Sequence, residues 1–108
     1  MQPPRLTSLE RIAYNQAWRR TLNQLQAGWM EASHPVADFR CECGRFDCRG
    51  ERILLSGREW QEVRSRSTRF AVAPEHVAPC IDSVVEERQH FWLVENLGEA
   101  ARLAEKLA

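Results

Sequence analysis

Residues 39–55, FRCECGRFDCRGERILL, hold three of the chain's four cysteines, Cys41, Cys43 and Cys48, in a C-x-C-x4-C arrangement. In a reducing compartment, thiols this close together point to metal or redox chemistry before structural disulfides. Zinc takes four ligands in a tetrahedron with Zn–S near 2.3 Å, which sets ligand sulfurs about 3.8 Å apart. An extended chain points residues i and i+2 the same way but holds them apart. Gly44 and Gly50 supply the freedom to turn Cys41 and Cys43 toward one centre while Cys48 returns from the loop. Arg40, Arg45 and Arg49 flank the cysteines and favour their thiolate forms. Three ligands are in place, and a fourth must come from elsewhere.

Four residues compete for that position. His76 lies in VAPEHVAP, where Pro74 and Pro79 hold a loop open and can deliver an imidazole rigidly. Cys80, four residues on, is the alternative fourth ligand and would make the site all-thiolate. His34 precedes Pro35 at the end of a helix and suits the last helical carbonyls. His90 falls in a strand turn, where a solvated ring is expected. Three thiolates and one further protein ligand close the coordination sphere, so the expected site is structural Zn2+ with no open position for substrate. A zinc deaminase would need a glutamate beside a zinc-binding histidine in H-x-E, and the chain has no such motif. Disulfide pairing and a redox switch that releases metal on oxidation are the competing uses of the cysteines. No cysteine is set apart with an evident histidine and acid, and neither a phosphate-binding glycine loop nor a serine–histidine–acid signature is present.

The elements that must position these residues are legible in outline. Thr7 and Glu10 have capping-box spacing, and a helix is expected from there to about Ala32. Tyr14, Trp18, Leu22, Leu25 and Trp29 recur on one helical face, which predicts the buried side or a partner surface shared with Met30, while Arg19, Arg20, Asn23, Gln24 and Gln26 lie largely off it. The sequences ADFRCEC and GERILLS predict an antiparallel hairpin whose loop is the cysteine cluster. Ser56 and Glu59 form a second capping box, with Leu55 and Trp60 in staple positions, and a short helix is expected at 57–65 with Trp60 and Val63 inward. TRFAVAPEH reads as a third strand, DSVVEERQHFWLVEN as a hairpin turning near Arg88, and Asn96 with Glu99 as the cap of a last helix striped by Ala100, Leu103, Ala104 and Leu107. The four tryptophans are expected mostly in the core, and the arginine-rich stretch VRSRSTRF as a solvated loop. The predicted fold is α+β: a small antiparallel sheet with a cysteine-bearing hairpin, a long N-terminal helix, a short middle helix and a C-terminal helix. One domain is expected over 1–108, with 1–35 the long helix region and 36–108 the zinc-site core.

Composition narrows the class of function. The chain has 108 residues, 44% hydrophobic and 28% charged, with zero net charge, the profile of a folded globular domain. Neutrality argues against wholesale electrostatic binding to nucleic acid or anionic membrane. The charge is unevenly spread, however, with eight arginines against five acids over residues 40–69. A nucleic-acid surface would draw on Arg40, Arg45, Arg49, Arg52, Arg64, Arg66 and Arg69. No apolar run approaches the roughly 20 residues of a membrane span, and the N-terminal residues show no apolar signal region, so a cytoplasmic protein is expected.

The patterns F-R-C-E-C-x4-C-x2-E-x-I-x-L, RF-x-V-x-P-x-H and VVE-x5-W-x-V-E, spread over residues 39–108, together resemble a group of short bacterial proteins of uncharacterised activity. In that group the three cysteines and the histidine are the recurring polar landmarks. The resemblance implies Cys41, Cys43, Cys48 and His76 as the ligand set, with Cys80 an extra of this chain. The expected function is a non-enzymatic zinc-binding module for protein interaction or regulation, its partner a protein or a second copy met through the N-terminal helix. A zinc-dependent nucleic-acid-binding protein and a thiol redox sensor are the alternatives.

Overall fold

The computed structural model describes residues 6–29 and 35–108; His34 and Met30 lie outside them. The order of elements is α1 (Ser8–Ala27), β1 (Ala37–Arg40), β2 (Arg52–Leu55), α2 (Gly57–Arg64), β3 (Arg69–Val72), β4 (Asp82–Glu87), β5 (Trp92–Asn96) and α3 (Gly98–Lys106). β1 and β2 form one antiparallel pair, with Phe39 opposite Ile53 and Arg40 opposite Arg52. A second antiparallel sheet has the order β3-β5-β4. This is the α+β architecture with a long N-terminal helix that the sequence implies.

Local signals explain most boundaries. Thr7 and Ser56 each accept a hydrogen bond from the backbone N–H three residues on, and Glu10 and Glu59 reach back to the cap N–H, completing both capping boxes. α1 ends four residues after Asn23, in a turn at Gly28 whose N–H donates to Gln24 O at 3.0 Å. Behind α2, Trp60 stacks on Phe39 with ring centroids 4.9 Å apart. Leu55, Trp60 and Val63 join Phe70, Val72 and Val94 in the main core.

Two expectations fail, each for a physical reason. Asn96 does not cap α3. Leu97 occupies the N-cap without a side-chain bond, because the Asn96 amide is drawn inside to Asp82 at 2.6 Å and Gln16 at 3.1 Å. The second failure is larger: α1 is inside out relative to its hydrophobic stripe. Its buried residues are Ala13, Gln16, Ala17, Arg20 and Asn23, whereas Trp18 is 62% and Trp29 91% exposed. Those two tryptophans are therefore surface residues; Trp60 is buried and Trp92 half-buried.

The inward face of α1 is polar because of what it covers. Residues 41–51 run between the strands without a sheet of their own, and their backbone groups need partners. Gln16 donates to Cys43 O at 3.2 Å, Asn15 to Gly44 O at 3.2 Å, and Asn23 to Arg40 O at 2.9 Å. Arg20 donates to Ser67 O at 2.7 Å and Ala104 O at 3.1 Å, tying the helix to the start of β3 and to α3. A leucine at any of these inward positions would strand a buried carbonyl.

This close docking makes Gly44 special. Its φ is +72°, and a Cβ there would lie 2.4 Å from Ile12 O and 2.7 Å from Gln16 Cγ. Gly50 also has positive φ, +83°, but a Cβ there meets only the Arg40 side chain at 3.6 Å or more. The left-handed backbone alone costs a non-glycine residue about 1–2 kcal/mol. Gly50→Ala is expected to lose about that much in denaturant unfolding, and Gly44→Ala clearly more because α1 must move. Equal losses for the two would show that the helix does not press on the loop as described.

Candidate metal centre

Cys41, Cys43, Cys48 and His76 meet in one group, their ligand atoms all within 4.8 Å of one another. His76 Nδ1 lies 3.7 Å from Cys41 Sγ and 3.9 Å from Cys43 Sγ. Sulfurs on a tetrahedral zinc are about 3.8 Å apart, so an ion at the centre need draw this group in by no more than about 1 Å. The three cysteines are buried and none is in a disulfide. The arrangement is compatible with a structural metal site.

Alternation builds it. The chain stays extended through Cys41-Glu42-Cys43, so the two thiols point to one side and Glu42 to the other. Backbone bonds place this segment at the joint of the two sheets. Cys41 N–H donates to Glu51 O at 2.7 Å, beside β2, while Glu42 N–H donates to Ala71 O at 2.9 Å in β3. β3 is an edge strand, and its outward N–H groups are satisfied from the same joint. Ala71 N–H donates to Glu42 Oε1 at 2.9 Å and Ala73 N–H to Cys41 Sγ at 3.0 Å.

Glu42 is fully buried. Burial pushes its carboxyl up, opposed first by the Arg64 guanidinium and then by the Ala71 N–H and the Asn23 amide. Arg64 sits 3.3 Å away, donates also to Arg69 O, and lies over the Trp60 and Phe70 rings. The expectation that Arg64 belongs to a solvated loop is thus corrected: its side chain is only 12% exposed, because the buried carboxylate requires it.

His76 arrives on a turn. In Ala73-Pro74-Glu75-His76, the His76 N–H donates to Ala73 O at 2.9 Å and Glu75 has φ +71°, the pattern of a type II turn with proline second. The next turn, Ala78-Pro79-Cys80-Ile81, repeats it with Ile81 N–H on Ala78 O at 3.1 Å and Cys80 at φ +68°. Cys80 occupies the outer corner of that turn, is exposed, and lies outside the ligand group. His90 is exposed on the β4–β5 turn.

Two residues that sequence reading passed over complete the surroundings. Glu51 Oε2 lies 3.2 Å from His76 Nε2, so the ring nitrogen facing away from the sulfurs meets a carboxylate, an arrangement that fixes tautomer and ring orientation at metal sites. Arg19, from α1, reaches Cys43 Sγ at 3.7 Å and donates to Cys48 O. Glu51 is a fixed position of the C-x4-C-x2-E pattern, but nothing local marks it as the partner of His76, and Arg19 meets the loop only through tertiary packing. The Cys41 thiol holds Cys43 down, and the same hydrogen bond together with burial pushes Cys41 up.

Beside the centre opens a groove of about 620 Å³, lined by Ile12, Phe46, Val77, Ala78 and Pro79 with Arg45, Asp47 and Glu75. Both of its main walls are segments that carry ligands, the loop before Cys48 and the turns around His76. Among the remaining arginines, Arg45 pairs with Asp47 at 2.8 Å, and Arg66 and Arg69 approach Glu95 at 3.4 and 3.7 Å. Arg40, Arg49 and Arg52 are the members of the basic set without such a pairing among the described residues. No helix among the described residues is long and apolar enough to cross a membrane. The chain matches no family model, no curated protein and no solved structure in the comparisons made.

A buried carboxyl lies behind the centre. Asp82 accepts from Gln16 at 3.2 Å, from Asn96 at 2.6 Å and from Ala78 N–H at 3.4 Å; burial nevertheless pushes it up to about 6. An acid whose folded value exceeds the unfolded one, about 3.9, adds stability that is fully present below about pH 4 and lost as pH rises through 6. Asp82→Asn cannot ionise, so it is expected to gain on wild type by roughly 1 kcal/mol between about pH 5 and 8, read from urea unfolding at each pH. A pH-independent difference would contradict the shift. Separately, Glu51→Gln is expected to weaken metal binding about tenfold in chelator competition with the circular dichroism unchanged; unaltered affinity would remove Glu51 from the site.

Proposed function

We propose that the protein is a non-enzymatic zinc-binding module in which a closed Cys3His site locks the joint between the two sheets and so fixes a surface for a protein partner. The observation that carries this reading is the convergence of three buried cysteines and His76 within 4.8 Å, on segments that connect both sheets. Zinc suits the set because three thiolates and an imidazole fill its tetrahedron. The bound unit would carry one net negative charge, and Arg19 stands beside it. Closed coordination leaves no position for substrate, and thiolate charge dampens the Lewis acidity that hydrolysis needs. Zinc would also hold rigid the walls of the adjacent groove, whose lining of apolar side chains with Arg45, Asp47 and Glu75 suits a protein contact. The basic residues support a nucleic-acid surface less well, since Arg64 is buried and Arg45, Arg66 and Arg69 face acids.

Freshly reduced protein is expected to carry one zinc per chain in native mass spectrometry. His76→Ala should lose or weaken it, and Cys80→Ser should retain it in full. Metal-free wild type, or zinc loss in Cys80→Ser alone, would overturn the assignment.

A further inference from the structure

The outward face of α1 is left without a partner among the described residues. Tyr14 is 38%, Trp18 62%, Leu25 64% and Trp29 91% exposed, and Leu22 is half-buried at the margin. At 100° per residue Tyr14, Trp18, Leu22 and Leu25 share one stripe of α1, on the side opposite Gln16, Arg20 and Asn23, and Trp29 follows on the turn just past the helix end. Solvent-facing helices ordinarily carry charge. Here residues 21–29 contain none, and the two arginines just before them are turned away, Arg20 into the core and Arg19 onto the cysteine loop.

We propose that this stripe is the contact between two copies of the chain, packed as antiparallel helices about a two-fold axis near Leu22. The proposal goes beyond the interaction reading, whose groove lies elsewhere, and assigns a second contact surface with its partner. A two-fold contact requires a surface complementary to itself, and the stripe has that property. Its steps of 4, 4, 3 and 4 residues read almost the same from either end. Antiparallel pairing therefore sets Trp18 against Leu25 of the second copy and Tyr14 against Trp29, a large ring beside a smaller or differently shaped group each time. No like charges are brought together.

The available area fits a reversible dimer. Aromatic side chains bury roughly 150–250 Å² each, so at the observed exposures the aromatic and leucine residues offer on the order of 500 Å² per copy. Two copies then bury about 1,000 Å² of apolar surface, and polar flanks such as Thr21 bring the total toward the roughly 1,200 Å² at the lower end of stable interfaces. An association in the micromolar range is expected, since area alone does not secure tighter binding.

The test is sedimentation equilibrium of zinc-loaded protein from low micromolar to near-millimolar concentration, with metal content measured on the same samples. Wild type should pass from one-chain to two-chain mass. Trp18→Glu and Leu25→Glu should remain at one-chain mass with unchanged zinc content and circular dichroism, which separates loss of contact from loss of fold. In a Cys80→Ser background, Leu22→Cys should form a disulfide dimer under mild oxidation. Tyr14→Cys should not, because the two copies of residue 14 stand roughly 20 Å apart in the antiparallel pair. One-chain mass for zinc-loaded wild type at every concentration would overturn the dimer and leave the metal reading intact. Equal cross-linking at residues 14 and 22 would overturn the antiparallel arrangement. Absence of zinc from a two-chain species would instead overturn the metal reading alone.

Discussion

The buried carboxylate of Glu42 is the constraint on which the rest of the structure depends. It stands between two cysteines, on the opposite side of an extended segment, and it is taken wholly out of water. A charge in that position must be paired and hydrogen-bonded or the fold loses several kcal/mol. Arg64 of α2, Asn23 of α1 and the N–H of Ala71 in β3 meet that demand. Three elements distant in sequence thus converge on one side chain, and the cysteines on either side of it are turned toward His76. The same pairing covers the outer edge of β3, which would otherwise present unsatisfied N–H groups at the sheet boundary.

From this follows the unusual character of α1. A helix that packs on a sheet buries apolar side chains, but this one packs on α3 and on the irregular backbone that follows β1, and its inward face mixes alanines with hydrogen-bond donors. Gln16, Arg20 and Asn23 serve the carbonyls that no strand can serve. The apolar residues on the opposite face are left to solvent. The docked cysteine loop and the exposed aromatic stripe are therefore two consequences of one packing arrangement.

That arrangement also marks what can be read in the sequence. The cysteine spacing, the two capping boxes and the hairpin around the cysteines depend on neighbours a few residues apart, and those local patterns agree with the elements found. The helix period in α1 was equally legible, since Tyr14, Trp18, Leu22 and Leu25 do share a face, although the helix stops at Ala27, before Trp29. Which face lies inside was not, because hydrophobicity identifies the core side only when the surface opposite is apolar. Arg19, Glu51 and Arg64 were hidden for a related reason: each acquires its role from a residue 22 to 29 positions away or, for Glu51, from a turn 25 positions on. Asn96 looked like a helix cap because its spacing to Glu99 is right, and a buried carboxyl at Asp82 claimed it instead. Cys80 differs from His76 by its place on a turn, a distinction that composition and softness of the ligand do not reveal.

The central claim is that one ion closes the joint with three sulfurs and one nitrogen. X-ray absorption at the zinc edge of the reduced, loaded protein tests it most directly. The account predicts a first shell of three sulfurs near 2.3 Å and one nitrogen at about 2.0–2.1 Å, without a bound water. A shell of four sulfurs would bring Cys80 into the site and contradict the placement of His76. A shell with an exchangeable oxygen would open the site and contradict its structural role.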